Sequence, residues 1–138
     1  MEIGFSMIQL HGNETLERVR EIRSLSSLKI IKSFGIGSKS DLEKTKQYED
    51  VVDHFLFDAK PGETELPGGN AKTFEWSSLN GFKSKKEFFL SGGLNIENVE
   101  TAVNFNLTNF FDVSSGVESS PGVKDKQKIS EFINKIKN

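Results

Sequence analysis

The sequence FFLSGGLN, from Phe88 to Asn95, contains the pattern that decides the fold of this chain. Three apolar residues precede a serine and two glycines, and after Leu94 comes an asparagine that can cap a helix. An apolar run without polar alternation is typical of a strand buried on both faces of a parallel sheet. The segment therefore predicts a strand, a tight turn and the start of a helix, which together make one βα unit.

The same succession occurs five times along the chain. The predicted strands are residues 5–10, 28–34, 54–57, 88–90 and 110–113. Apolar residues at helical spacing are Leu16, Val19 and Ile22, then Ile96, Val99 and Val103, then Ile129, Phe132, Ile133 and Ile136. The predicted helix caps are Asn13, Asn95 and Asp125, and residues 40–43 have the spacing of a capping box. Strands that alternate with helices indicate an α/β fold with a parallel sheet covered by helices.

The length of the repeat indicates how much of such a fold is present. Residues 1–138 are predicted to form a single domain with about 28 residues per βα unit, whereas a closed (β/α)₈ barrel needs about 220 residues. The pattern alone fits a doubly wound sheet as well as a barrel. Glu2-Ile3-Gly4 has the pattern of a helix end with glycine at C′, directly before the first strand. We therefore expect five parallel βα units of a partial TIM (β/α)₈-type barrel, with three units absent.

Composition and charge exclude several classes of protein. Eighteen basic and twenty acidic residues give a net charge of −2, with no basic stripe for nucleic acid. The amino terminus lacks the pattern of a signal peptide, and no apolar run is long enough to span a membrane, so a cytoplasmic protein is expected. The chain contains no cysteine, which excludes a disulfide, a thiolate metal site and a cysteine nucleophile within it.

Two strand ends carry residues suited to binding an anion, and ligands of parallel βα folds bind at the carboxyl ends of the strands. Gly92 and Gly93 would let backbone amides approach an anion beside the positive end of the following helix. Ser114, Ser115 and Gly116 add hydroxyl groups and another glycine that permits close approach, where barrels frequently hold phosphate between their last two loops. Each loop alone is more often simple turn chemistry. Together they predict a phosphate site.

Three titratable residues at strand ends are candidates for chemistry. Asp58 would lie against aromatic walls at the barrel mouth, where burial favours a protonated carboxyl group that suits a general acid. It could instead cap the next loop or pair with Lys60 or Lys32. Asp112 presents the same choice. His11 could hydrogen-bond a ligand or could be a satisfied structural group.

Other conspicuous residues favour structural interpretations. His54, at the start of a strand, is expected to be structural or exposed. Trp76 is expected to pack the long connection of residues 59–74 onto the fold. The charged runs at residues 83–86 and 124–126 are expected to be solvated surface.

Taken in order, these residues resemble the phosphoribosylanthranilate isomerase family, which are (β/α)₈ enzymes of tryptophan biosynthesis. The resemblance rests on five segments: QLHG at 9–12, FD at 57–58, PGGNAKTFEW at 67–76, LSGGLN at 90–95 with ENV at 97–99, and DVSSGVE at 112–118 followed by PG at 121–122. They align with strands four to eight of the family barrel. The resemblance thus implies that strands one to three are missing from this chain.

The resemblance also implies an activity and roles for residues. Family members convert N-(5-phosphoribosyl)anthranilate into 1-(o-carboxyphenylamino)-1-deoxyribulose 5-phosphate by an Amadori rearrangement, without cofactor or metal. By residue matching, Asp58 is the general acid, and His11 and Asp112 face the ribose or anthranilate. The phosphate site matches Gly92, Gly93, Ser114, Ser115 and Gly116.

The sequence departs from the family pattern at three places. The family's base is a cysteine at the end of strand one, and an arginine near strand two helps to hold the anthranilate carboxylate; both would be absent here. Asn70-Ala71 replaces the usual serine or threonine followed by glycine. We therefore expect activity of this chain alone to be doubtful.

Two alternatives remain open at this point. The chain could be another phosphosugar barrel, such as an indole-glycerol-phosphate synthase, for which Lys32 is the one strand-end lysine that qualifies. It could instead be an inactive phosphate-binding half-barrel that pairs with another chain, or with itself, through its open strand edges. The expected ligand in each enzyme hypothesis is a small phosphosugar.

Overall fold

A computed structural model of the chain describes residues 4–59 and 76–137. Five strands form one parallel sheet: β1 (Met7–Leu10), β2 (Lys29–Ile36), β3 (His54–Ala59), β4 (Phe88–Ser91) and β5 (Phe110–Phe111). Their spatial order is the order of the sequence. A doubly wound sheet reverses its strand order at a switch point, whereas a barrel does not. The predicted parallel α/β fold is confirmed, and its topology is that of a TIM-type half-barrel.

In the part of the chain that the structure describes, helices follow four of the strands. They are α1 (Leu16–Leu25), α2 (Lys39–Thr45), α3 (Val99–Asn104) and α4 (Lys126–Lys137), with a 3₁₀ helix at Lys46–Tyr48 after α2. A long connection joins β3 to β4. Its described part contains a 3₁₀ helix, Trp76–Leu79, and residues 60–75 lie outside the described residues.

The helix starts only partly match the predicted caps. Thr15, not Asn13, caps α1, because its side chain accepts a hydrogen bond from the Arg18 amide. The capping box predicted at residues 40–43 is also wrong, since α2 begins at Lys39. The Asp125 cap is confirmed, because its carboxylate accepts hydrogen bonds from the amides of Gln127 and Lys128.

The two faces of the sheet have different roles. Side chains alternate along a strand, so Phe55 and Phe57 share one face and His54, Leu56 and Asp58 share the other. Phe55 and Phe57 are 0% and 1% exposed and stack at 5.8 Å between ring centroids. They belong to one buried cluster with residues of the helices, namely Val19, Val99, Ala102 and Phe132. The aromatic wall predicted around Asp58 is therefore wrong, since those rings lie on the opposite, helix-covered face.

The carboxyl-terminal part contains an element that the pattern did not predict. After β5, which is shorter than expected, an antiparallel hairpin forms from β6 (Glu118–Ser120) and β7 (Val123–Lys124). Polar alternation is weak in this short stretch, and Pro121-Gly122 supplies the turn, with Gly122 at φ 81°. The hairpin lies directly beyond the predicted phosphate loop.

The outermost strands of the described sheet are β1 and β5, each paired on one side. Phe5 and Met7, at the start of the β1 edge, are 74% and 39% exposed. Among the described helices, none has the length and apolar character needed to cross a membrane.

Candidate active site

Polar residues line up across the carboxyl ends of the middle strands. In the register of the sheet, Gly35 of β2 lies beside Asp58 of β3, and Asp58 lies beside Ser91 of β4. Ser91 Oγ donates a hydrogen bond to the Asp112 carboxylate at 3.0 Å, just after β5. Asp58 and Asp112 are thus brought to one edge of the sheet, on the face opposite the helices.

A second polar row connects the ends of β1 and β2. Gln9 Nε2 donates to Ser33 Oγ at 3.1 Å and lies 3.1 Å from His11 Nδ1. His11, Ser33, Gly35 and Asp58 are among the residues that line a cavity of about 760 Å³. Sequence reasoning assigned no role to Gln9 or Ser33 individually. The signal was available, because both side chains point to the same face as Asp58 by strand alternation.

The loop after β4 has the backbone that its glycines predict. Gly92 and Gly93 have φ values of 86° and 66°, a region that favours glycine. The Gly93 carbonyl accepts a hydrogen bond from Asn98 Nδ2 at 2.8 Å. The two glycines do not open the helix, however, since α3 begins at Val99. The intervening turn is satisfied internally, because Asn95 Oδ1 accepts from the amides of Glu97 and Asn98. The helix-end contribution predicted for this loop is therefore wrong.

The loop after β5 lies directly against the loop after β4. Asn95 and Gly116 form a parallel backbone bridge. A Cβ at position 116 would overlap the Leu94 carbonyl oxygen and stand 2.8 Å from the Asn95 Cα. The structure thus brings the Gly92-Gly93 loop together with the loop of Ser114, Ser115 and Gly116. Asp58 lies next to them, beside Ser91, and His11 lies at the other end of the same edge, after β1.

Lys124 is exposed, as expected of a solvated surface charge, and it also contacts the predicted phosphate loop. Its Nζ donates to Ser114 Oγ at 3.0 Å, to the Ser114 carbonyl at 2.9 Å and to Glu118 at 2.6 Å. The hydrogen bond from Lys124 and another from the Gly122 amide lower the pKa of the Glu118 carboxyl. The β6–β7 hairpin therefore brings an ion pair to the Ser114 loop. Sequence reasoning missed this contact because the hairpin was not predicted.

Lys32 is not available as an acid or base at this edge. Its side chain is 2% exposed and forms an ion pair with Glu14 at 3.0 Å. Its register partners are Leu10 and Phe55, so its side chain leaves the sheet on the helix-covered face, opposite to that of Asp58, although both residues line the same cavity. The alternative that needed Lys32 as a catalytic lysine is therefore not supported.

Residues outside the active-site edge behave largely as expected. Trp76 is 3% exposed and packs edge to face on Phe105 at 6.1 Å, which confirms its packing role. His54 is half-buried at the opposite end of β3 and contacts the rings of Phe89 and Phe110.

Residues 67–75 of the matched PGGNAKTFEW segment lie outside the described residues. The described residues contain no group of three His, Asp or Glu side chains placed to hold a metal ion.

Fold and site together define a class of protein. It is a TIM-type βα protein in which the strand ends carry a carboxylate and two adjacent loops that contain glycine. Comparison with known proteins is more specific. The family model described as N-(5'phosphoribosyl)anthranilate (PRA) isomerase matches residues 1–135. The chain belongs to this family.

Relatives and solved structures agree with the family match. The N-(5'-phosphoribosyl)anthranilate isomerases of Rhizobium rhizogenes and Rhizobium johnstonii are 42% and 45% identical over 131 residues, which are 94% of this chain and 59% of each relative. The crystal structure of the Thermotoga maritima enzyme superposes with a TM-score of 0.76 at 38% identity, covering 96% of this chain and 62% of that one.

A further solved structure carries a ligand. It is a phosphoribosylanthranilate isomerase in complex with reduced 1-(o-carboxyphenylamino)-1-deoxyribulose 5-phosphate, with a TM-score of 0.72 at 33% identity over 96% of this chain and 59% of that one. In all these comparisons the chain spans about three fifths of the length of its relatives.

Proposed function

We propose that this chain supplies the general acid and the phosphate site of a phosphoribosylanthranilate isomerase. One observation carries the proposal: in a chain of this family, Asp58 and the two glycine loops lie along the same carboxyl edge of one sheet. The substrate would be N-(5-phosphoribosyl)anthranilate, whose phosphate and reacting carbons are separated by the length of the ribose. A biosynthetic enzyme of this kind would act in the cytoplasm.

The phosphate would bind where the loops after β4 and β5 meet. Backbone amides of Gly92, Gly93 and Gly116 and the hydroxyl groups of Ser114 and Ser115 are donors suited to phosphate oxygens. The Gly116 contact with Leu94 holds the loops at a fixed separation. Lys124 adds a positive charge at Ser114, although its pairing with Glu118 reduces the net charge there.

The acid would act at the other end of the ribose. Asp58 donates a proton to the furanose ring oxygen as the bond from that oxygen to C1 breaks, and the nitrogen lone pair forms the C1=N Schiff base. A base then removes the proton from C2, and the resulting enol amine tautomerises to the ketose. His11 would contact the ribose or anthranilate from the end of β1, and Asp112 would do so from the end of β5.

The resemblance implies a cysteine as the base, and this chain contains none. We further propose that the base comes from polypeptide that pairs with the edges of β1 and β5. Exposed edges and exposed apolar residues such as Phe5 and Met7 favour such pairing. The relatives contain further polypeptide of this kind, since this chain spans about three fifths of their length.

Turnover of a reconstituted barrel tests both proposals. The 138-residue chain is co-expressed with the first three βα units of the Rhizobium johnstonii relative, and conversion of N-(5-phosphoribosyl)anthranilate is followed by chromatography. We expect conversion by the pair and not by either part alone. Conversion by the 138-residue chain alone at ordinary enzyme rates would show that no outside base is needed. A folded, associated pair without conversion would contradict the proposed activity.

A substitution in the same assay tests the acid. Asp58→Asn is expected to reduce kcat by about 10²–10⁴-fold, because it removes a proton donor and leaves the shape of the side chain. Asp50→Asn is the matched control, since Asp50 is exposed in the turn before β3. Equal rates for both variants would show that Asp58 is not the general acid.

A further inference from the structure

Lys32 is a buried cation in the helix-covered face of the sheet. Its Nζ donates to the carbonyl oxygens of Gly12 at 2.8 Å and Ser33 at 3.0 Å, and more weakly to that of Leu10 at 3.5 Å. It lies 4.9 Å from the centre of the Phe34 ring and pairs with Glu14 at 3.0 Å. All three N–H groups of the ammonium therefore have an acceptor near the end of β1 or β2.

Glu14 holds the same loop from its other side. Both oxygens of its carboxylate accept hydrogen bonds from the Gly12 amide at 3.1 Å. The Glu14 carbonyl accepts from Tyr48 Oη, also at 3.1 Å. Burial alone would raise the pKa of the Glu14 carboxyl, but hydrogen bonding and attraction from Lys32 outweigh it, so the pKa lies below its usual value. The carboxylate is therefore charged at neutral pH.

The loop between β1 and α1 is thus fixed at two successive peptide groups. The Gly12 carbonyl binds Lys32 and the Gly12 amide binds Glu14, while Lys32 and Glu14 bind each other. A buried ion pair can often be replaced by apolar side chains without loss of stability, so packing gives no reason for a lysine at this position. The loop begins at His11, and the cavity that His11 shares with Asp58 is also lined by Gly12, Glu14 and Lys32.

We propose that Lys32 is a positioning residue that acts through Glu14 and Gly12 to hold His11 at the mouth of the active site. In this role Lys32 acts through its contacts with the Gly12 and Ser33 carbonyls and with Glu14, which already engage its Nζ. It sets the affinity for the ribose and anthranilate part of the ligand, and it leaves the phosphate loops unaffected because those belong to β4 and β5. The ligand in this statement rests on the proposed function, whereas the ordering of the loop does not.

The first test measures the loop without any ligand. Amide hydrogen exchange is followed by NMR in the 138-residue chain and in the variants Lys32→Met and Glu14→Gln. We expect the amide of Gly12, which donates to Glu14, to exchange at least about tenfold faster in both variants, with the exchange of β3 and β4 unchanged. Lys46→Met is the matched control, because Lys46 pairs with Glu43 on the surface, where both side chains are at least half exposed. Unchanged exchange of the Gly12 amide in both variants would overturn the proposal.

The second test separates positioning from a general structural role. Affinities for inorganic phosphate and for reduced 1-(o-carboxyphenylamino)-1-deoxyribulose 5-phosphate are measured by calorimetry. Lys32→Met is expected to lower the affinity for the reduced ribulose phosphate by about 10–100-fold, since small displacements of a contact group have effects of this size. The affinity for inorganic phosphate is expected to stay unchanged. Equal weakening of both ligands would indicate a merely structural role and contradict the proposal. If the unsubstituted chain binds neither ligand, the proposed function fails, and the exchange experiment still decides whether Lys32 orders the loop.

Discussion

Gly116 faces the backbone of Leu94 so closely that no side chain fits between them. This contact joins the loop after β5 to the loop after β4, which are the two loops proposed to hold the phosphate. A close approach of two backbones allows amides from both loops to reach one anion, because neither loop is held away by a Cβ. The contact therefore links a local steric requirement to the shape of the proposed site.

Replacement of Gly116 by alanine should damage both stability and phosphate binding. The added methyl group must displace the backbone of Leu94 or Asn95, at an expected cost of about 1–3 kcal/mol in unfolding free energy. Urea denaturation and phosphate titration measure the two effects. Gly4→Ala is the control, since nothing lies within 4 Å of a Cβ at that position. A Gly116→Ala variant as stable as the Gly4→Ala variant would show that the loops separate freely.

The Arg23–Asp53 contact should contribute more to stability than a surface ion pair. Asp53 accepts a hydrogen bond from Arg23 at 2.5 Å and another from the Ile30 amide at 2.7 Å, which ties α1 to the starts of β2 and β3. Asp53→Asn is expected to cost about 1–3 kcal/mol because the backbone donor and the guanidinium both lose a charged acceptor.

The control for this comparison is Glu21→Gln. Glu21 pairs with Arg18, and both side chains are 56% exposed, so a change below about 0.5 kcal/mol is expected from urea denaturation. Equal effects of the two substitutions would mean that the Arg23–Asp53 contact adds nothing beyond surface charge.

Asp41 should make stability depend on pH in the acid range. Hydrogen bonds from Lys44 and from the Gly37 amide lower the pKa of the Asp41 carboxyl from 3.8 to about 2. A carboxyl with a lowered pKa in the folded state stabilises the protein above its unfolded pKa, and this contribution disappears as pH falls from about 4 towards 2. Asp41→Asn should therefore cost about 1 kcal/mol at pH 7 after allowance for solvent screening, and less at pH 3. A difference between the two proteins that stays constant from pH 7 to pH 3 would contradict this assignment.

Strand periodicity and strand-end residues carried most of the information about this fold. Apolar runs bounded by polar or glycine residues located all five strands, because the helix-covered face of a parallel sheet needs apolar residues. The strand positions then predicted the candidate site, since the residue after a parallel strand lies at the ligand-binding edge. These candidates are Asp58, Asp112 and the glycines of both loops.

Other features depend on contacts between distant residues and were not predictable from local patterns. The pairing of Lys32 with Glu14 requires the register of β1 and β2, which no local pattern fixes. The β6–β7 hairpin is short and weakly alternating, so the contact of Lys124 with Ser114 was missed. The cap of α1 is Thr15 and not the predicted Asn13. Both residue types can cap a helix, and the packing of Leu16 and Val19 against the core decides between them.

The most direct test of the proposed site is an NMR titration of the 138-residue chain with reduced 1-(o-carboxyphenylamino)-1-deoxyribulose 5-phosphate. We expect the largest amide shifts at Gly92, Gly93 and Gly116, with smaller shifts near Asp58 and His11. The lysine-rich surface at residues 83–86 provides an internal comparison, because it could attract an anion without being a built site. Shifts confined to residues 83–86, or the absence of shifts at the three glycines, would contradict the central claim that the carboxyl edge of this sheet binds the substrate.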